Sequence, residues 1–402
     1  MTDHSTAAEQ PPTTEDGGAA LLRWLREKGA HGPVWRDEEG GAVHVFSHEH
    51  AGKVLADPKT FSSDMSAAVP DDVPNFIEGS LATTDPPRHR KLRQVVTDAF
   101  TAKTVASLEP RIVEVTNQLL DHVSGGEFEF VETLSNPLPV TVIAELLGIP
   151  ISDQPKFRRW AEAAITATAE AQVGEAEFQI NEWVADQVRE MQEYLTDHAE
   201  RRRKEPTGDL MSRLANAEVD GTRLTDNQVF SFAADLLFAG HITTTMLLGN
   251  TLLSLDENPA AAVAVRADRS RLPDLIEEVL RYRPPVTLTH RLTRQDTTVG
   301  DLDVPAGSLV VAWIISANRD EQRFPNPDVF DIDRASNPHM SFGHGIHFCI
   351  GAPLGRLEAR LALNIILDRF PDLALAGKPD YLAAPGLFGV QTLPLRYTEA
   401  RG

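Results

Sequence analysis

Apolar residues along most of this chain recur at three- and four-residue intervals, the spacing of one helix face. Val105, Leu108, Ile112, Val115 and Leu119 predict a helix over 101–123. Further helices are expected over 154–170, 175–203, 259–267 and 272–281, and another after residue 351, where positions 354, 357, 361 and 365 form an apolar stripe. Alternating or continuous apolar runs are short, near residues 43, 290, 310 and 390, and predict a few small strands. The most apolar stretch, 229–255, is interrupted by Asp235, His241 and Asn250 and has no flanking basic cluster, so it reads as a buried helix, not a membrane span. Thr225 and Gln228 fit a capping box at its start, with Leu224 and Val229 placed as a hydrophobic staple. Inside it, Gly240 costs about 1 kcal/mol relative to alanine. Thr243, Thr244 and Thr245 then place three β-branched hydroxyls in mid-helix. Their hydroxyls compete for backbone carbonyls, and together with the glycine they suggest a bent helix that opens toward something bound.

Bulk composition narrows the class. The 402 residues, 42% of them hydrophobic, can bury a large core, and with a single cysteine that core must hold without an internal disulfide. A net charge of −21 argues against a nucleic-acid binder or a protein that coats anionic lipid. Residues 1–20 are polar, with Pro and Gly, and lack the basic and apolar regions of a signal peptide; a disordered tail and a cytoplasmic protein are the expectation. No internal repeat or Gly/Ser linker divides the rest.

The lone cysteine, Cys349, lies in "SFGHGIHFCIG". Gly343, Gly345 and Gly351 permit a tight turn that points amides at the sulfur, and the helix that follows starts beside it, which favours a thiolate. Three readings stand: a buried structural cysteine, a zinc site with His344 and His347, or an axial thiolate to haem iron. Zinc is short of ligands, because no second cysteine exists.

The stretch resembles the haem-binding signature of cytochromes P450, Phe-x-Gly-x-x-x-Cys-x-Gly, which places Phe342, Gly343 and Cys349 in it. Other family motifs follow in order. Glu278 and Arg281 match the Glu-x-x-Arg pair, whose i,i+3 spacing lets them pair on one helix face. "FPNPDVFDIDR" resembles the family's meander and ends at Arg334, which the resemblance adds to that network. The likeness covers about residues 20–400. It implies one domain, 21–402, with the mainly α P450 fold: a triangular helical prism with small β-sheets and haem b between two long helices. It makes Cys349 the iron ligand and assigns His89, Arg93, Arg291 and His347 to the haem propionates. Arg88, Arg90 and Lys91, extended by Arg356 and Arg360, read as a docking face for an acidic ferredoxin-type iron–sulfur donor, which with its reductase passes electrons from NAD(P)H.

"AGHITTT" resembles the oxygen-activating motif, with Ala239 and Gly240 as the O2 groove and Thr243 as the alcohol that steers protonation, helped by Thr244. Where the family usually has an acid, this chain has Ile242, which cannot relay a proton. His241 projects about 100° away around the helix and is a poor substitute. By the same resemblance, Phe76, Ile242, Val286, Thr289, Leu387 and Phe388 are candidate pocket residues. The expected activity is hydroxylation or epoxidation of a mostly apolar, medium-to-large natural product, polyketide- or macrolide-like, by a monomer that binds neither membrane nor nucleic acid. Oxidative coupling, desaturation or ring formation is the alternative within enzymes, and a non-catalytic haem-thiolate sensor the alternative outside them.

Overall fold

The computed structural model describes residues 10–38, 41–66, 80–170 and 181–398. The helix Asp226–Glu257 runs through the middle of the molecule for 32 residues, about 48 Å at 1.5 Å per residue. Its start is the expected box: Thr225 Oγ1 accepts from the Gln228 amide, and the Gln228 side chain accepts from the Thr225 amide. Leu224 and Val229 are both buried beside it. Among the described residues this is the one helix long and apolar enough to cross a membrane, yet 72% of its most apolar window is buried by neighbouring elements. Helical assignment runs unbroken past Gly240 and the three threonines. Thr243 and Thr245 turn their hydroxyls back to the carbonyls of Ala239 and His241, which satisfies them within the helix.

Around this axis pack Pro137–Leu146, Glu182–Lys204, Leu272–Tyr282 and Ala352–Arg369. Gly240 lets the first of these approach, for a Cβ there would meet Ile143 at 3.2 Å. One buried cluster collects residues from Leu92 to Leu395. To one side a five-stranded sheet orders Val34–Arg36, Val43–Val45, Leu309–Ala312, Thr289–Thr293 and Phe61–Ser62. Leu309–Ala312 joins Val43–Val45 in parallel and Thr289–Thr293 in antiparallel register, with Val310 opposite both Val43 and Arg291.

Several expectations need correction. The 101–123 helix is two, Ala102–Ala106 and Glu109–Leu120. Pro110 lacks an amide proton and its ring would clash with the carbonyl of residue 106, so the helix restarts there. The apolar run near 310 leaves the sheet after Ala312 and becomes the short helix Ile314–Ala317. The tail expected to be disordered over 1–20 is packed over its second half. Thr14 is fully buried, its hydroxyl within hydrogen-bond distance of the carbonyls of Leu382, Ala384 and Leu387, and a helix begins at Ala19. Residues 1–9 lie outside the described residues, as does the 175–180 start of the helix expected over 175–203, which is described from Glu182.

Candidate active site

A cavity of about 440 Å³ separates the central helix from the loop that carries Cys349. That loop is shaped by positive φ at Gly343 and Gly345; at the latter a Cβ would lie 2.8 Å from the Leu55 carbonyl, so only glycine fits. The Cys349 amide donates to the Phe342 carbonyl at 2.8 Å. The Gly351 and Ala352 amides, at the start of Ala352–Arg369, donate to the sulfur. Burial raises the thiol, opposed by those two amides and by the Arg93 and Arg356 charges. Behind it, Arg356 lies 4.3 Å over the Phe342 ring and pairs with Glu277 through two bonds of 2.6 and 2.7 Å. Burial alone would raise Glu277; bonds from Arg356 and His339 outweigh it and hold the carboxyl at about 2.

Four basic side chains from three separate segments line one end of the cavity. His89 and Arg93, one turn apart on Arg88–Thr97, face it with Arg291 from the sheet and His347 from the cysteine loop. The His89 and His347 rings are 4.4 Å apart, and His347 Nε2 is 3.0 Å from Ser63 Oγ. Arg93 donates to the carbonyls of Ile346 and Phe348, tying its helix to the loop. Arg291, lowered to about 10 by burial against the pull of Asp85, donates to Thr289 and to the His290 carbonyl. Burial, then the charges of His89 and Arg291, lowers His347 to about 3. Both ring nitrogens of His89 are buried without a hydrogen-bond partner among the described residues. An unpartnered His89 ring N–H beside the Arg93 and Arg291 charges fits the carboxylates of an anionic cofactor, and a sulfur held by two amides fits a metal's axial thiolate. The donor set as a whole fits haem.

The opposite wall is the central helix, which presents Ala239, Gly240, Thr243 and Thr244 to the same cavity. Thr243 Oγ1 donates to the Ala239 carbonyl at 2.7 Å. His241 is buried and off the cavity wall, and burial lowers its imidazole to about 4.

The candidate pocket residues divide. Val286 and Thr289 line the cavity. Ile242, Leu387 and Phe388 do not, and the expectation is corrected for these three. Ile242 lies on the helix next to Thr243 but turned off the lined face. Leu387 forms an isolated bridge with Val286, so its backbone supports the wall without its side chain forming it. Phe388 is buried in a separate cluster with Leu21, Trp24 and Trp313, against Gly18. Phe76 lies outside the described residues.

Away from the cavity, Arg281 and Glu278 are fully buried and doubly bonded, at 2.7 and 2.8 Å. Arg334 adds a 3.3 Å bond to Glu278, and both arginines reach backbone carbonyls of the 318–329 segment. The basic patch is smaller than expected, since Arg356 and Arg360 are paired with Glu277 and Glu109, and Lys91 with Asp220. Arg88 and Arg90 remain exposed.

Two cavity-lining acids escape sequence reasoning. Glu358 is buried, its Oε2 without a hydrogen-bond partner among the described residues, and burial pushes it up to about 8. Its place between Leu354 and Leu361 on an apolar stripe was the signal that could have found it. Asp235 stands on the central helix, one turn before Ala239 and two before Thr243, and registered only as a break in an apolar run.

The family description Cytochrome P450 matches residues 13–139 and 173–394. Cyclomarin C epoxidase CymV of Salinispora arenicola is 44% identical over 96% of this chain and 98% of its own length. An erythromycin C-12 hydroxylase of Saccharopolyspora erythraea is 44% identical over 92% of each chain. Among solved structures, a mutant of P450 EryK in complex with erythromycin B superposes with a TM-score of 0.90 at 42% identity, covering 97% of this chain and 99% of that one. HmtN, a post-tailoring hydroxylase of himastatin biosynthesis, superposes at 0.85 with 44% identity, covering 97% and 100%.

Proposed function

The chain belongs to the cytochrome P450 family and is a haem-thiolate monooxygenase, and from that premise we propose that it hydroxylates or epoxidises a medium-to-large, mostly apolar natural-product scaffold of macrolide or cyclic-peptide type. The observation that carries this reading is a single cavity bounded by Cys349, by a four-base cluster and by the Ala239–Thr244 wall. Bound haem supplies the redox chemistry that activates dioxygen. Cys349 would hold its iron, while His89, Arg93, Arg291 and His347 take its carboxylates.

The remaining work falls to the chain's own side chains. Ala239 leaves room beside the helix where a larger side chain would fill the cavity, and Gly240 admits Ile143 of the neighbouring helix. Thr243 Oγ1 donates to the Ala239 carbonyl; turned into the cavity, with Thr244 it would hold a water that passes protons in place of an acid at 242. Apolar walls, including Phe100, Phe232, Leu236 and Val286, exclude bulk water and favour an apolar scaffold. Glu278, Arg281 and Arg334 brace the 318–337 segment that leads into the Cys349 loop. Electrons come from separate redox proteins; we assign the donor to the ferredoxin type, docking at Arg88 and Arg90, and the working form to a cytoplasmic monomer.

Turnover of a macrolide and cyclic-peptide library with a surrogate ferredoxin, its reductase and NADPH tests the reading. A product heavier by one oxygen from at least one scaffold is expected. Only dehydrogenated or coupled products would favour the alternative chemistry, and no product with any scaffold that shifts the haem spectrum would favour a sensor.

A further inference from the structure

The central helix gives the cavity wall apolar side chains, two threonines and one carboxylate. Asp235 is half-buried, lines the cavity and forms no ion pair among the described residues. Its Oδ2 accepts from the Leu81 amide at 3.0 Å, and the Ser80 side chain and the Ala82 amide also bond to it. Leu81 and Ala82 line the same cavity. An ionised carboxylate has about four acceptor sites. Among the described residues its donors are three and uncharged, which leaves one site for something inside the cavity. Those donors do not offset the cost of burial, which pushes the carboxyl up to about 6. A positive partner removes that cost far better than another neutral donor.

We propose that Asp235 is the specificity-determining group of the pocket: it takes the protonated amine of a basic substrate. Ala239 follows it by one helical turn, so the amine sits about 6 Å along the axis from the oxygen groove. This rests on the monooxygenase reading and adds the substrate's charge and a length. The chain's net charge of −21 favours the approach of a cation. The other ionisable groups on the cavity wall are His89, Arg93, Arg291, His344, His347, Cys349 and Glu358. Asp235 is set apart from them by its own donors, all neutral.

The test uses the haem-loaded enzyme and N-alkylimidazoles whose chains end in a dimethylamino group or in a neutral isopropyl group. The imidazole anchors to iron and reports by an optical shift, while the chain reaches toward Asp235. Across a series of chain lengths, the amine should at its best length bind at least about tenfold tighter than its neutral twin. The preference should fade as pH falls through about 6, where the carboxyl protonates. In Asp235→Asn the ratio should fall to about one and lose its pH dependence; Asp235→Glu should restore it with a shorter best chain. A ratio unchanged in Asp235→Asn overturns the proposal. So does an equal loss for both ligands, which would leave Asp235 as a brace for residues 80–82 alone. If neither ligand shifts the spectrum of the native protein, the haem reading itself fails and the proposal with it.

Discussion

At position 242 an isoleucine stands where the family usually places an acid, and its side chain is off the cavity wall. On the proposed reading the proton path runs through groups on that wall, with Thr243, bonded to the Ala239 carbonyl, as its hydroxyl. Thr243→Ala should lower product formed per NADPH by about tenfold or more, with NADPH consumption persisting, and Thr243→Ser should recover most of it. Simultaneous assay of NADPH and product checks this; unchanged coupling in the alanine variant would remove Thr243 from the relay. Residues of this kind were legible because their neighbours in sequence are their neighbours in space: Cys349 with its glycines, Glu278 with Arg281. Asp235 and Glu358 were not. A carboxylate within an apolar run announces burial, but which cavity it faces depends on elements far away in the chain.

Among elements, helices with strong periodicity were read nearly to the residue, as at Pro259–Ala267 and Gln154–Glu170, because a buried face imposes its spacing on the sequence. Breaks were harder. Pro110 falls at the second residue of a new helix, where it is tolerated, so it marks a start as readily as a stop. The packed segment 10–18 carries polar, glycine-containing sequence whose order comes from Thr14 bonding carbonyls over 360 residues away. The helix Leu272–Tyr282 is tied to the meander by Glu278. Glu278→Ala would leave Arg281 and Arg334 buried without their counter-charge, a loss of about 3–5 kcal/mol. Urea unfolding followed by haem absorbance should show the midpoint fall accordingly. A midpoint equal to the native protein's would mean that the network does not hold the fold.

For the whole molecule, family motifs pointed to the architecture, while the inventory of residues on the cavity wall needed the three-dimensional arrangement. Phe388 and Val286 show why. Their segments are adjacent, joined by the Phe388 amide donating to the Pro285 carbonyl, yet Val286 faces the cavity and Phe388 a second core. Similarly, Arg356 and Arg360 lie near the expected docking face but are paired with acids from distant helices. The central claim is that the single cysteine brings the whole cavity to bear on haem iron. The carbon monoxide difference spectrum of the reduced protein tests it most directly. The native chain should show a band near about 450 nm, the sign of a thiolate ligand, and Cys349→Ser should lose it. Absence of that band from the native protein, or its persistence in the Cys349→Ser variant, would contradict the account.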